Sequence, residues 1–172
     1  MEEIIRPRKW TKDELREAEF RYYPRRKQLV MAARLPETIA PLHIQYPLEI
    51  VTAEAGDVLC FEPNDKLHTR LSEYDHWSVK LDVFLKTYRN WDQADWTPGP
   101  QVKFMMQRGC KPYYKRSGAW AKRLKEPTWI ESLESPKPIQ VPAGMWLFIG
   151  SSGEPWHGED ETFRSRYIVD GE

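Results

Sequence analysis

Two stretches of this chain hold residue types that could do chemistry. The first is Gly150-Ser-Ser-Gly-Glu-Pro-Trp156-His157-Gly-Glu-Asp. The hydroxyls of Ser151 and Ser152, with the amides of a glycine-rich loop, suit an anion, and Glu154 near His157 offers an acid and a base for proton transfer. The spacing is neither Gly-x-x-x-x-Gly-Lys nor Gly-x-Ser-x-Gly, so no phosphate-loop or hydrolase fingerprint accompanies them. A polar hairpin loop accounts for the same residues, because Gly and Ser are turn formers. The second stretch is residues 101–125, with eight Lys or Arg and no Asp or Glu. Phe104, Tyr113, Tyr114 and Trp120 are interleaved with those charges. Cations pair with phosphates and aromatic faces stack on bases, so Arg108, Lys111, Tyr113, Tyr114, Lys115, Arg116 and Trp120 form a candidate contact for a nucleotide or a nucleic-acid end. A solvated basic face on an inserted helix over 115–125 is the plainer account. The acidic Glu154, Glu159, Asp160 and Glu161 offer a third, mutual neutralisation within the chain or across a homodimer.

Metal and thiol chemistry find less support. The histidines are His43, His68, His76 and His157, and the cysteines Cys60 and Cys110, none at the spacing of a compact ligand motif. Neither a metal nor a cofactor is expected, and the two thiols read as packed or surface groups. Lys plus Arg equals Asp plus Glu at 26 each, which argues against a protein that coats nucleic acid or acidic membrane over its whole surface. The start, Met-Glu-Glu-Ile-Ile-Arg, is unlike a signal peptide, and no apolar run is long enough to span a bilayer, so a cytoplasmic protein without a membrane partner is expected.

The elements that must position these residues repeat. Trp77, Phe84 and Tyr88 recur as Trp156, Phe163 and Tyr167, with Trp to Phe seven residues and Trp to Tyr eleven in both copies. Upstream, Ala55-Gly56 before Val58–Phe61 recurs as Ala143-Gly144 before Met145–Ile149. Such self-similarity indicates tandem modules. Residues 48–52 and 58–61 read as a hairpin around the Ala-Gly turn, and 138–141 with 145–149 as its replay. Residues 26–35 read as an opening strand, matched by Gln101–Gln107. Asp82 and Asp160 stand where a carboxylate would cap a helical turn pinned into each core by Phe84 and Phe163. Thr11-Lys-Asp-Glu14 is a capping box, and predicts an N-terminal helix with Leu15, Ala18 and Phe20 on its apolar face.

The order of signals, from the strand near Arg26 through Ile50-Val-Thr-Ala-Glu and Gly56-Asp57 to Asp82-x-Phe84-x-x-Thr87-Tyr88, resembles the PGDYG-type domain of phage and bacterial proteins. The second module carries Gly144, Gly153-Glu154 and Phe163-x-x-x-Tyr167, with Met145 where that pattern has Asp. The resemblance covers about 130 of the 172 residues. It implies a small α+β fold and carries no reaction or catalytic residues to transfer.

The expectation is thus an α+β protein of two tandem small, mainly antiparallel β modules, each with a short helical turn, plus an N-terminal helix. Its parts would be an arm and helix over 1–24, a first module over 25–90, a linker over 91–100, and a second module over 101–172 with a basic insertion at 108–137. The first functional reading is a non-enzymatic binding protein for a nucleotide-like or other phosphate-bearing ligand, held by the basic aromatic residues with Ser151 and Ser152. The second is a protein-interaction adaptor using the N-terminal helix and exposed Trp91 and Trp96. The third is a small hydrolase built on Glu154 and His157.

Overall fold

The computed structural model describes residues 3–63, 66–135 and 137–169. In chain order the elements are β1 (Ile4–Ile5), α1 (Lys12–Glu17), β2 (Arg21–Tyr23), β3 (Val30–Arg34), β4 (Leu42–Gln45), β5 (Ile50–Ala53), β6 (Val58–Phe61), β7 (His76–Val79), α2 (Leu81–Thr87) and β8 (Tyr88–Asn90). They continue with α3 (Pro100–Met106), β9 (Lys111–Lys115), β10 (Ala119–Arg123), β11 (Thr128–Ile130), β12 (Ile139–Val141), β13 (Trp146–Ile149), β14 (Pro155–Gly158) and α4 (Asp160–Arg166). A single 3-10 turn covers Leu71–Glu73.

The α+β expectation is corrected to a mostly β protein: among the described residues fourteen strands lie in four sheets, while no α-helix exceeds seven residues. Helices of two turns cannot form a layer of their own, so the strands bury one another. The chain also does not open with a helix. β1 comes first and pairs in parallel with β11, and α1 begins only at Lys12. Its capping box is present, with the Glu14 amide donating to the Thr11 hydroxyl at 3.1 Å and the Thr11 amide donating to the Glu14 carboxylate at 2.9 Å. Those bonds satisfy two of the amides that a helix start leaves without partners.

Two compact units divide the chain. The first takes Met1–Arg26, Gln45–Thr52 and Ser117–Glu172, and the second Lys27–Ile44 with Ala53–Arg116. Residues 91–100 fall inside the second unit, and the basic stretch is cut at Arg116. The second unit is built on a five-stranded antiparallel sheet in the order β7-β6-β3-β9-β8. The first holds a four-stranded antiparallel sheet, β14-β13-β10-β2, and a three-stranded one, β1-β11-β12. The remaining sheet, β4 with β5, lies where the chain passes between units.

The repeated frame is a repeated supersecondary element, and its pairing differs from the expected hairpins. Gly56 and Gly144 do make left-handed turns, at φ 90° and 93°. The strands on either side of each turn nevertheless take other partners: β6 pairs with β3 and β7, and β13 with β10 and β14. The opening strand of the second copy is therefore β10. Gln101–Met106, expected as that strand, is the helix α3, started by Pro100, whose missing amide costs nothing in a first turn. The expected helix over 115–125 is likewise replaced by strand, β9 ending and β10 lying within it. In each copy a strand pair leads to a two-turn helix whose Phe is buried and stacks on the following Tyr: Phe84 on Tyr88 at 4.6 Å, and Phe163 on Tyr167 at 5.5 Å. Neither aspartate caps its helix. The N-cap positions are Lys80 and Glu159, without side-chain bonds, and Asp160 instead accepts from the Trp146 indole at 2.8 Å.

One turn of the first unit depends on glycine for two reasons. Gly153 has φ 78°, and a Cβ there would overlap the carbonyl of Arg8, whose amide donates to the Gly153 carbonyl at 3.3 Å. Gly144 is equally left-handed but has open space around it. Gly144→Ala is expected to cost about 1 kcal/mol, the backbone penalty alone. Gly153→Ala should cost clearly more, because the residue 8 backbone has to move as well. Denaturant midpoints of the two variants, measured side by side, check the order.

Candidate functional site

β10 lies between β13 and β2, and this places Trp120 directly opposite Tyr22. The two rings meet edge to face at 5.8 Å and 65°. Tyr22 is 52% exposed, and its hydroxyl accepts from the Gly118 amide at 3.1 Å, which fixes the ring at the strand edge. Gly118 is required at that point, because a Cβ would overlap the Tyr23 carbonyl and crowd the Tyr22 hydroxyl. Lys12 and Arg16 stand four residues apart on α1 and so share a face. The Arg16 guanidinium sits 5.7 Å from the Trp120 ring centre, within cation–π range. Lys12, Arg16, Tyr22 and Trp120 together line an open groove of about 460 Å³ in the first unit. Its chemistry is a pair of apolar ring faces beside two cations.

The residues singled out from sequence are distributed differently. Arg108, Lys111, Tyr113, Tyr114, Lys115 and Arg116 belong to the second unit, and Trp120, Ser151 and Ser152 to the first. The ring of Tyr113 packs edge to face against Phe84 at 5.0 Å, as part of the core. Arg108 lies over its own helix neighbour Phe104 at 3.5 Å and donates to the Phe104 carbonyl. Tyr114 faces Trp91 at 6.3 Å. Lys111 is exposed at the start of β9, Lys115 pairs with Tyr88 across the sheet, and the Arg116 amide donates to Thr87 at 2.7 Å. Ser151 and Ser152 are exposed in the β13–β14 loop. Glu154 turns back into that loop, where its carboxylate accepts from the Ser152 amide and lies against Gly150. Trp91 and Trp96 are half-buried and face each other at 6.1 Å. Of the proposed ligand residues only Trp120 stands in the groove. Lys12 and Arg16 carried a readable signal, two cations at helical spacing after a capping box. Tyr22 carried none until β2 was known to pair with β10.

His157 meets a carboxylate that sequence reasoning did not single out. Its Nδ1 lies 4.0 Å from Oε2 of Glu49, whose side chain is 8% exposed. That oxygen is buried without a hydrogen-bond partner, and burial raises the Glu49 carboxyl above its usual range, a hydrogen bond with Ser132 opposing it only in part. Burial also lowers the His157 imidazole. Both shifts favour the neutral forms, which suits a contact longer than a hydrogen bond. No thiolate nucleophile is available at Cys110, because burial pushes its thiol up to about 11. Among the described residues no group of three or more His, Cys, Asp or Glu converges on a common point that could hold a metal ion. No helix is long and apolar enough to cross a membrane. No protein-family model, curated protein or solved structure matches the chain.

The Glu49 and His157 contributions to stability have opposite pH dependence. Glu49, raised by burial, contributes fully below the ordinary glutamate range and loses that contribution as pH rises. His157, lowered by burial, contributes fully above the ordinary imidazole range and loses it as pH falls. Glu49→Gln keeps a neutral group at all pH values. The melting temperature of Glu49→Gln relative to wild type is therefore expected to be nearly unchanged at about pH 4 and to become positive toward about pH 8. A difference flat with pH would show that Glu49 titrates as it does in the unfolded chain.

Proposed function

We propose that this chain is a non-enzymatic binding protein for a nucleotide-like, phosphate-bearing ligand. The observation that carries the reading is the groove of the first unit, where Trp120 and Tyr22 offer ring faces and Lys12 and Arg16 stand beside them. A planar base would stack on Trp120 while its phosphate meets the two cations. Stacking is tolerant of base identity and the cations are point charges or planar forks for phosphate oxygens, so the site reads the class of ligand rather than one base. A cytoplasmic setting belongs to the same reading, supported by the buried free thiols Cys60 and Cys110. Kinship with the PGDYG-type domain is also part of the proposal and rests on the motif residues alone.

Isothermal titration with AMP, adenosine and inorganic phosphate tests it. AMP is expected to bind more tightly than either half, and its affinity should fall with added salt. Trp120→Ala should weaken AMP by about tenfold or more, the worth of a lost stacking partner. Lys12→Glu with Arg16→Glu should flatten the salt dependence. Absence of saturable AMP binding to wild type at millimolar concentrations, or binding indifferent to all three substitutions, overturns the reading.

A further inference from the structure

The second unit contains a different aromatic and charged cluster, with its cation inside rather than at the rim. The ammonium of Lys27 lies 4.7 Å from the Tyr114 ring centre and 5.6 Å from that of Trp91, and pairs with the carboxylate of Asp92. Trp91 meets Tyr114 at 77° and Trp96 at 62°. The rings meet one another edge to face, and Trp91 and Tyr114 each still present a face to the Lys27 ammonium. The charged members stay open to solvent, Lys27 at 51% and Asp92 at 56% exposure. The pairing with Asp92 raises the Lys27 ammonium, so the occupant keeps its charge.

Two ring faces and a carboxylate around one ammonium are the parts of a receptor for organic cations. A methylated ammonium suits such ring faces better than a primary one, because it sheds less hydration on leaving water. Lys27 is held there by the chain itself, so its ammonium competes as an intramolecular occupant that dilution does not remove. We infer that Trp91, Tyr114 and Asp92 form a binding site for alkylammonium groups, methylated ones above all, and that Lys27 is its built-in competitor. The site is independent of the groove in the first unit and takes a ligand of the opposite charge. A ligand enters as Lys27 swings out, which its half-exposed side chain allows without rearrangement of β9.

The probe is tetramethylammonium, titrated at constant ionic strength and followed by amide and indole NMR shifts. Lys27→Ala is expected to bind it about tenfold or more tightly than wild type, since the tethered competitor is gone. Adding Asp92→Asn should reduce that affinity several-fold while Trp91 and Tyr114 remain the residues whose signals move. Both substituted positions are half exposed, and far-UV circular dichroism confirms that the variants fold. Lys27→Gln gives the same vacancy if the alanine variant is unstable. The inference is overturned if removing Lys27 leaves tetramethylammonium no tighter than in wild type, for Lys27 would then be a brace and the rings its packing. Binding indifferent to Asp92→Asn, or shifts away from Trp91 and Tyr114, would place the cation elsewhere and overturn it equally.

Discussion

The pairing of β10 on both of its edges is the constraint on which the first unit depends. Backbone pairing holds β2 and β13 on its two edges, while the small buried Ala119 and Ala121 leave room on one face for Phe148, Phe163 and Tyr167 and Trp120 projects from the other face. Through β13 that strand reaches the most densely aromatic part of the fold, where Phe163 stacks on Trp146 at 4.0 Å and Tyr167 on Phe148 at 5.6 Å. Through β2 it reaches Tyr22 and, by the short connection upstream, the helix that carries Lys12 and Arg16. The groove is thus a consequence of strand order. Lys122, the neighbour of Trp120, fixes the other end of the same helix by donating to the Ala18 carbonyl at 2.9 Å. That bond meets one of the carbonyls a helix C-terminus leaves open.

How much of this is legible in the sequence depends on whether the cause is local. The capping box at Thr11, the left-handed glycines and the buried Phe of each repeat are set by a few neighbouring residues, and all are present in the structure. Strand partnership is not local. Val58–Phe61 follows a tight turn after Ile50–Ala53, so a hairpin is the natural expectation, yet both edges of β6 are taken by β3 and β7. The turn reverses the chain without making its flanks partners. Gln101–Met106 alternates over Gln-Val-Lys-Phe as a strand would, yet its apolar Val102 and Met105, three residues apart, are the buried pair of a helix face. β10, Ala-Trp-Ala-Lys-Arg, has little strand propensity of its own and is held by its two neighbours, which is why the basic stretch read as a helix.

The basic stretch loses its unity for the same reason. Its charges are continuous in sequence but are divided between the two units once 111–115 and 119–123 become strands of different sheets. Several of the cations find partners within their own unit: Arg123 donates to the Gly144 carbonyl at 3.0 Å and lies 3.7 Å from Asp160, which also holds Arg164. Among the described residues the basic and acidic stretches meet where Arg123 approaches Asp160, inside the first unit. Glu49 is the opposite case. It is unremarkable between Leu48 and Ile50, and becomes the most constrained carboxylate near His157 because the fold buries its oxygen beside an imidazole that it does not reach by hydrogen bond.

The two aromatic clusters share their residue types and differ in where the cation stands. In the first unit Arg16 lies over the Trp120 ring with the exposed Asp13 carboxylate 3.4 Å away, and Lys12 stands with it at the open groove. In the second unit Lys27 stands among the rings with Asp92 beside it, so the local charge is already balanced and only a cation can take its place. Composition cannot distinguish these cases, since each reads as Trp, Tyr and Lys or Arg in proximity. Each cation has a carboxylate partner, Asp13 for Arg16 and Asp92 for Lys27, and what distinguishes them is that Lys27 lies over two rings and Arg16 over one. With Asp92 present, an anion would face repulsion and lose the ring contacts to Lys27, whereas a cation inherits both the carboxylate and the ring faces.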